Sequence, residues 1–522
     1  MDKQTPKRLS LLRFLRNSVT QARQSLISSN HRPVFVLGNP SADLDSIISA
    51  IIYSYFATTT KNQSINGLYI PLINLIDIPA GKELRRLRPE FATSLQLATD
   101  ESTTSSDNRY DASSLLAECI LTTADLKEEL SRERKRETHR PISDDGSNRS
   151  PTTTQELDVF MVDWNALPVT RFNGRGIGGI SDEFEDIQVS VHGCIDHHED
   201  EGFIPDHPTD RVQHRSDKTI LETRCIQTGV GSCTSLVVRE LRQQGLWIDG
   251  SASVAPDEVQ PIPNTGQRIE HTANEDTECE SQVAKLALAA ILADTANMTA
   301  ESKVSTVDRE AVAFLEMKIS HSRISWDRQG FYNEIMEAKS SSVDYLTMDE
   351  ILGRDYKEWV DSQSSVTTTS SKSANGGRNI KIGICNIVKP FSWVFKKALS
   401  DHEAPLAAGN GIELFLQSLD AFSNSQELDI VAVMTVYTIG PENDFHRELL
   451  LRVIDNQHLP KIEEFTKTAT EKLRLMEWRF DGESGNEPDS SVWGKNTRLW
   501  RQDDISKSRK QVAPLLRKIF TG

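Results

Sequence analysis

The pattern that most constrains this chain is a series of short apolar runs, several of which break off at a polar turn. RPVFVLG, from Arg32, is followed by the turn NPSADLDS and then by the apolar segment IISAIIYSYFA. A buried strand, a polar loop and a helix in that order open a βαβ unit. GLYIPLINL (67–75), LDVFMVDWN (157–165) and VSVHGCIDHH (189–198) read as further strands, the last two ending in charged or polar residues. Apolar strands joined through helical segments predict a parallel α/β sheet, with sites at the carboxyl ends of its strands.

With 522 residues the chain exceeds one ordinary core. A fresh amphipathic series begins at GFYNEIMEAK, which sets the expected boundary near residues 320–330. The expected fold class is α/β: a doubly wound parallel-sheet domain over 1–325 and a smaller mixed α/β domain over 326–522, the latter containing IKIGICNIV and LDIVAVMTVY as strands. Polar stretches at about 101–156, 251–278 and 362–377 are expected to be insertions, because they offer too little apolar surface to order themselves.

Hydrophobic residues make up 37% of the chain, which suits a soluble protein. No run approaches the roughly 18 apolar residues of a membrane-spanning helix. The six cysteines form no CxxC pair, which argues against a thiolate zinc site or a disulfide framework and favours a reducing compartment such as the cytoplasm. The basic, amphipathic N-terminus is expected to be a helix packed through Leu11, Leu12, Phe14 and Leu15, a mitochondrial presequence being the alternative. A formal charge of −17 disfavours an extended nucleic-acid surface, so a phosphate substrate would need a local cationic site.

Five positions could supply one. Asp43 and Asp45 lie two residues apart in a strand-to-helix loop and hold their charges best around shared cations, although either alone reads as a helix N-cap. Asp163 ends the run VFMV, where a carboxylate is either a site residue or a turn former. Asp196-His197-His198 closes VSVHGCI and offers carboxylate and imidazole donors, a mixture suited to Mn²⁺ or another transition ion. Asp294 follows the apolar helix QVAKLALAAILA, and a carboxylate at a helix C-terminus opposes the dipole unless a cation is near. Each signal is modest alone. Together they describe a binuclear metal site.

GNPSADLDS (38–46), VDWN (162–165), IDHH (195–198) and ADT (293–295) resemble the four ordered motifs of the DHH phosphoesterase superfamily. The resemblance is to the branch of eukaryotic cytosolic exopolyphosphatases, prune-type proteins and manganese-dependent pyrophosphatases. TGVGSCTSLV (228–237) is similar to that family's small-residue helix start, and EILGRDYKEW (350–359) and SRKQVAPLL (508–516) resemble its C-terminal domain. The resemblance implies two divalent ions, Mn²⁺ or Mg²⁺, held by Asp43, Asp45, Asp163, His197 and Asp294, with Asp163 as the bridge. It further implies that His198 acts as acid and that Lys339, Ser508, Arg509 and Lys510 bind substrate phosphate. Asn39 stands where the pyrophosphatases have a histidine, which makes it a weak ligand or a supporting residue and suits the exopolyphosphatase branch. Trp164 replaces another family histidine and puts a phosphate contact there in doubt. The implied activity is release of terminal phosphate from inorganic polyphosphate, at a site between the domains. The alternatives are a prune-like phosphodiesterase or short-chain oligophosphatase, and a non-catalytic scaffold.

Overall fold

The computed structural model describes residues 8–27, 32–60, 67–99, 112–138, 155–167, 177–178, 187–204, 223–248, 267–320, 326–362, 379–401, 411–439, 444–479 and 493–521. They fall into two units, Met1–Lys339 and Ser340–Gly522. Of the expected insertions, residues 101–111, 139–154, 251–266 and 363–377 lie outside the described residues.

In the first unit, α1 (Leu11–Ile27) precedes β1 (Val34–Leu37), α2 (Leu44–Thr60) and β2 (Tyr69–Leu72). Four helices follow: α3 (Lys82–Leu87), α4 (Pro89–Thr99), α5 (Ala112–Cys119) and α6 (Thr123–Thr138). The strands β3 (Gln155–Val162), β4 (Ile177–Gly178), β5 (Ile187–Asp196) and β6 (Thr223–Ile226) come next, and α7 (Cys233–Gln243), α8 (Gln267–Asp294), α9 (Thr306–Ser320) and α10 (Arg328–Ser341) complete the series. Five strands run parallel in the order β2-β1-β3-β5-β6, and the short β4 lies antiparallel on β5. The four expected strands are therefore β1, β2, β3 and β5.

All four residues of β1 are buried, and most of α2 is buried too, which is why that helix is apolar on every side. Tyr53 of α2 stacks on Phe160 of β3 with ring centroids 4.0 Å apart. Gly38 lets the start of α2 approach the end of β1, since a Cβ there would lie 2.7 Å from the Cβ of Ser46. Leu11, Leu12, Phe14 and Leu15 are buried, so α1 packs through the face its sequence marks.

The second unit contains α11 (Met348–Arg354), β7 (Tyr356–Ser362), β8 (Asn379–Ile387), α12 (Phe391–Asp401) and α13 (Gly411–Ser425). It continues with β9 (Ile430–Ile439), β10 (Asp444–Val453), α14 (Lys461–Leu473), β11 (Leu475–Glu477), β12 (Thr497–Gln502) and α15 (Arg509–Thr521). Its sheet is mixed, in the order β11-β12-β10-β9-β8-β7, with β8 and β9 the parallel pair. Ile382, Ala432 and Leu449 of the sheet share an apolar cluster with Phe465 of α14 and Leu516 and Phe520 of α15. IKIGICNIV and LDIVAVMTVY are β8 and β9.

Candidate metal centre

Parallel neighbours bring their carboxyl ends to one edge of the sheet. The register pairs Leu37 with Met161 and Val162 with Ile195, so the segments leaving β1, β3 and β5 emerge side by side. Asp163 is the first residue past β3 and takes a left-handed backbone, φ +53°. Asp and Asn tolerate that conformation better than most residues. Its Oδ2 accepts from Asn39 Nδ2 at 2.8 Å and from Ser46 Oγ at 2.6 Å.

The other oxygen carries the site's main oddity. Asp163 Oδ1 is buried and has no hydrogen-bond donor. His197 Nε2 lies 3.2 Å from it and His198 Nδ1 3.4 Å. His197 Nδ1 is 3.1 Å from the carbonyl of Val230, and a carbonyl can only accept, so this nitrogen carries the proton. In the neutral ring, Nε2 then turns a lone pair toward a carboxylate oxygen. A cation between the two atoms satisfies both, either a proton on Nε2 or a metal ion. Ligand atoms of Asp163, His197 and His198 all lie within 4.8 Å of one another, and their oxygen-and-imidazole set fits a divalent ion such as Mn²⁺.

Asp45 joins this group, with Oδ2 3.9 Å from His197 Nε2. The same oxygen accepts from Cys233 N at 2.6 Å, and Oδ1 accepts from Ser232 Oγ, Thr234 N and Thr234 Oγ1 at 2.7–2.9 Å. Asp45 therefore caps α7 across 187 residues of sequence while facing the histidine. Burial, then the charge of Asp163, raise its pKa above the usual carboxylate value. Asp43 does what a local reading assigns it, capping α2 through Ser46 N at 3.0 Å. Asn39 donates to Asp163, and its Oδ1 accepts from Ser41 at 2.5 Å, so the whole amide is engaged in supporting contacts.

Asp294 ends α8 ahead of three consecutive left-handed residues, Ala296, Asn297 and Met298. Burial first, then the charges of Asp45 and Asp43, push its carboxyl well above the usual range, while Lys339 and Lys303 act the other way. Lys339 is thus within electrostatic reach of the cluster, and so is Lys303, which carries no signal in the sequence. In metal-free protein the folded carboxyl keeps its proton at pH values where the unfolded one has lost it. Stability then falls as pH rises from the ordinary carboxyl value of 3.8 through the raised pKa. Asp294→Asn is expected to flatten that slope in urea unfolding of metal-free protein, and an unchanged slope would refute the assignment.

Several residues support the site through contacts that their sequence positions do not show. Asp196 accepts from His197 N at 2.7 Å and pairs with His198 Nδ1 at 2.8 Å, so it orients the histidines that follow it. Asn165 holds Asp196 Oδ2 at 2.5 Å and accepts from Glu201 N at 3.0 Å, fixing the turn after β5. The buried Arg88 donates to the carbonyls of Ser41 and Ala42 in the loop that carries Asp43. Trp164 is partly buried against the apolar cluster that includes Phe35, Leu37 and Met161.

In the second unit, Ser508, Arg509 and Lys510 open α15. Ser508 N and Oγ both donate to Gln511 Oε1, at 2.8 and 3.3 Å. Arg509 Nη1 donates to Asp355 Oδ1 at 2.8 Å and to its carbonyl at 3.1 Å. Burial works to raise the Asp355 pKa, but Arg509 and the Asn386 amide hold it well below the usual carboxylate range. The guanidinium is anchored through one nitrogen at the start of a helix, where anions are favoured.

Residues 333–519 match the DHHA2 domain family. A protein of Schizosaccharomyces pombe (strain 972 / ATCC 24843), described as "Putative exopolyphosphatase", is 25% identical over 515 residues, covering 97% of this chain and 97% of the relative. A solved structure titled "Crystal structure of Methanococcus jannaschii putative family II inorganic pyrophosphatase" is similar with 16% identity and a TM-score of 0.42, over 93% of this chain and 99% of that chain.

Proposed function

We propose that the chain, whose residues 333–519 match the DHHA2 domain family, belongs to the DHH superfamily and is a phosphoanhydride hydrolase that releases terminal phosphate from inorganic polyphosphate. The observation that carries the reading is the buried, donorless Asp163 Oδ1 facing His197 Nε2 among further carboxylates at the carboxyl edge of a parallel sheet. The near full-length similarity to a relative described as an exopolyphosphatase supports polyphosphate as the substrate.

Asp43, Asp45, Asp163, His197 and Asp294 would hold two divalent ions, Mn²⁺ or Mg²⁺, with Asp163 shared between them. Such ions supply charge neutralisation at the phosphoryl group and make water more acidic. Asn39 spends its amide on Asp163 and Ser41, so it supports the bridge instead of ligating, and looser binding there suits Mg²⁺. His198, aimed by Asp196, protonates the departing phosphate. Arg509 and Lys510, with Ser508 at the helix start and Lys339 on α10, bind phosphate oxygens.

The test is phosphate release from long-chain polyphosphate, pyrophosphate and a cyclic nucleotide, with Mg²⁺ or Mn²⁺. Fast release from polyphosphate and slow release from the others is the expected result. Preference for either of the others would overturn the substrate, and no release from any would overturn the enzyme. Arg509→Ala should raise KM for polyphosphate by about 10–100-fold, the loss of one charged hydrogen-bonding group. An unchanged KM would remove Arg509 from substrate binding.

A further inference from the structure

TGVGSCTSLV (228–237) reads in the sequence only as the small-residue start of a helix, yet its backbone touches two of the candidate ligands. Ser232, Cys233 and Thr234 donate to Asp45, and the Val230 carbonyl accepts from His197 Nδ1. A further carboxylate fixes this segment in place. Asp308, fully buried in the first turn of α9, accepts from Gly231 N at 2.9 Å and from Ser232 N at 3.3 Å. It also accepts from Ser305 N at 2.8 Å and Ser305 Oγ at 2.7 Å, closing the cap of its own helix. The loop has no slack. A Cβ at Gly231 would lie 2.8 Å from Thr295 Cγ2, 3.0 Å from the Lys303 carbonyl and 3.1 Å from Asp308 Oδ2.

We propose that Asp308 is a positioning residue for the metal centre: by gripping Gly231 and Ser232 it aims the Val230 carbonyl at His197, keeping the proton on Nδ1 and the lone pair on Nε2. The inference rests on the metal-centre reading above and names the group that decides which ring nitrogen faces Asp163. A helix cap alone accounts for the Ser305 contacts. It does not account for two N–H groups 76 and 77 residues away. A neutral imidazole ligates through its unprotonated nitrogen, and the hydrogen bond made by the other nitrogen selects which one that is.

Two readouts test this: the ¹⁵N shifts of His197 in metal-free protein, and Mn²⁺ affinity by calorimetry. At a pH where its ring is neutral, wild-type His197 should show the Nδ1–H tautomer. Asp308→Asn places an NH₂ group where one of the two N–H bonds was accepted. It should mix the tautomers and weaken Mn²⁺ binding by roughly 10–100-fold. Ser305→Ala removes a cap contact but leaves the grip on the loop, so it should lower the melting temperature and change neither readout.

The proposal fails if folded Asp308→Asn keeps the wild-type tautomer and affinity, or if Ser305→Ala shifts both as far as Asp308→Asn does. It fails without any variant if wild-type His197 carries its proton on Nε2, so a misfolded mutant does not shield it. Absence of Mn²⁺ binding by the wild type would sink the metal-centre reading instead. The tautomer measurement needs no metal and judges the role of Asp308 separately.

Discussion

Asp163→Asn is expected to abolish turnover of polyphosphate while leaving the metal-free protein at least as stable as the wild type. Asn accepts the left-handed φ of +53° as readily as Asp, so the backbone is not disturbed. Its oxygen can keep the hydrogen bonds from Asn39 and Ser46. Its new NH₂ falls where Oδ1 now faces His197 Nε2 at 3.2 Å, replacing opposed lone pairs with a donor and an acceptor. The catalytic loss is of a different order. Metal-based charge stabilisation amounts to several kcal/mol in the transition state, and each 1.36 kcal/mol is tenfold in rate, so a fall of about 10³-fold or more is expected. Initial rates beside a melting curve check both halves. Retained activity would remove Asp163 from the chemistry, and a large drop in melting temperature would make its role structural.

Asp45→Ala should behave in the opposite way, failing in stability as well as in activity. Asp45 satisfies two backbone N–H groups and two hydroxyls at the buried start of α7. The hydroxyls can rotate to new partners, but the N–H groups cannot. Each unpaired buried group costs about 1–3 kcal/mol, and removing a charge that burial disfavours offsets part of it. A net loss of about 2–4 kcal/mol is expected from urea unfolding. Asp45→Asn retains an acceptor and should recover much of the stability but not the metal affinity. If Asp45→Ala unfolded at the wild-type urea concentration, the capping role across the fold would be wrong.

The contrast between these residues marks how far the sequence could be read. Asp45, Asp163 and His197 stood out because each follows an apolar strand run, and in a parallel sheet those runs end at one edge, whereas Asp43 caps a helix and Asp294 ends one. What Asp45 does there was not visible. Its partners on α7 lie 187–189 residues further on, and local sequence carries no trace of them. Asp196 illustrates the same limit. It stands within the quoted motif, yet only the placement of Asn165 and His198 around it shows that it orients the site. His192, in the same run, pairs with Asp158 across the sheet at 2.9 Å.

The missed strand β10 has a local cause. DFHRELLLRV looks too polar for a central strand because Arg447 and Glu448 interrupt it, but both are buried with partners. Arg447 donates to the Ile505 carbonyl, and Glu448 accepts from Trp478 Nε1 and Phe391 N. Charged residues become strand-compatible once distant groups satisfy them. Trp164, which departs from the resembled motif, packs against the apolar cluster of the first unit.

The measurement that bears most directly on the metal centre is a calorimetric titration of metal-stripped protein with Mn²⁺, run beside Asp163→Asn. Two ions bound per wild-type chain, with both sites weakened together in the variant, is the result expected of the proposed site, in which Asp163 would serve both ions. Wild-type protein that takes up no Mn²⁺ and no Mg²⁺, or a variant that binds as the wild type does, would contradict it.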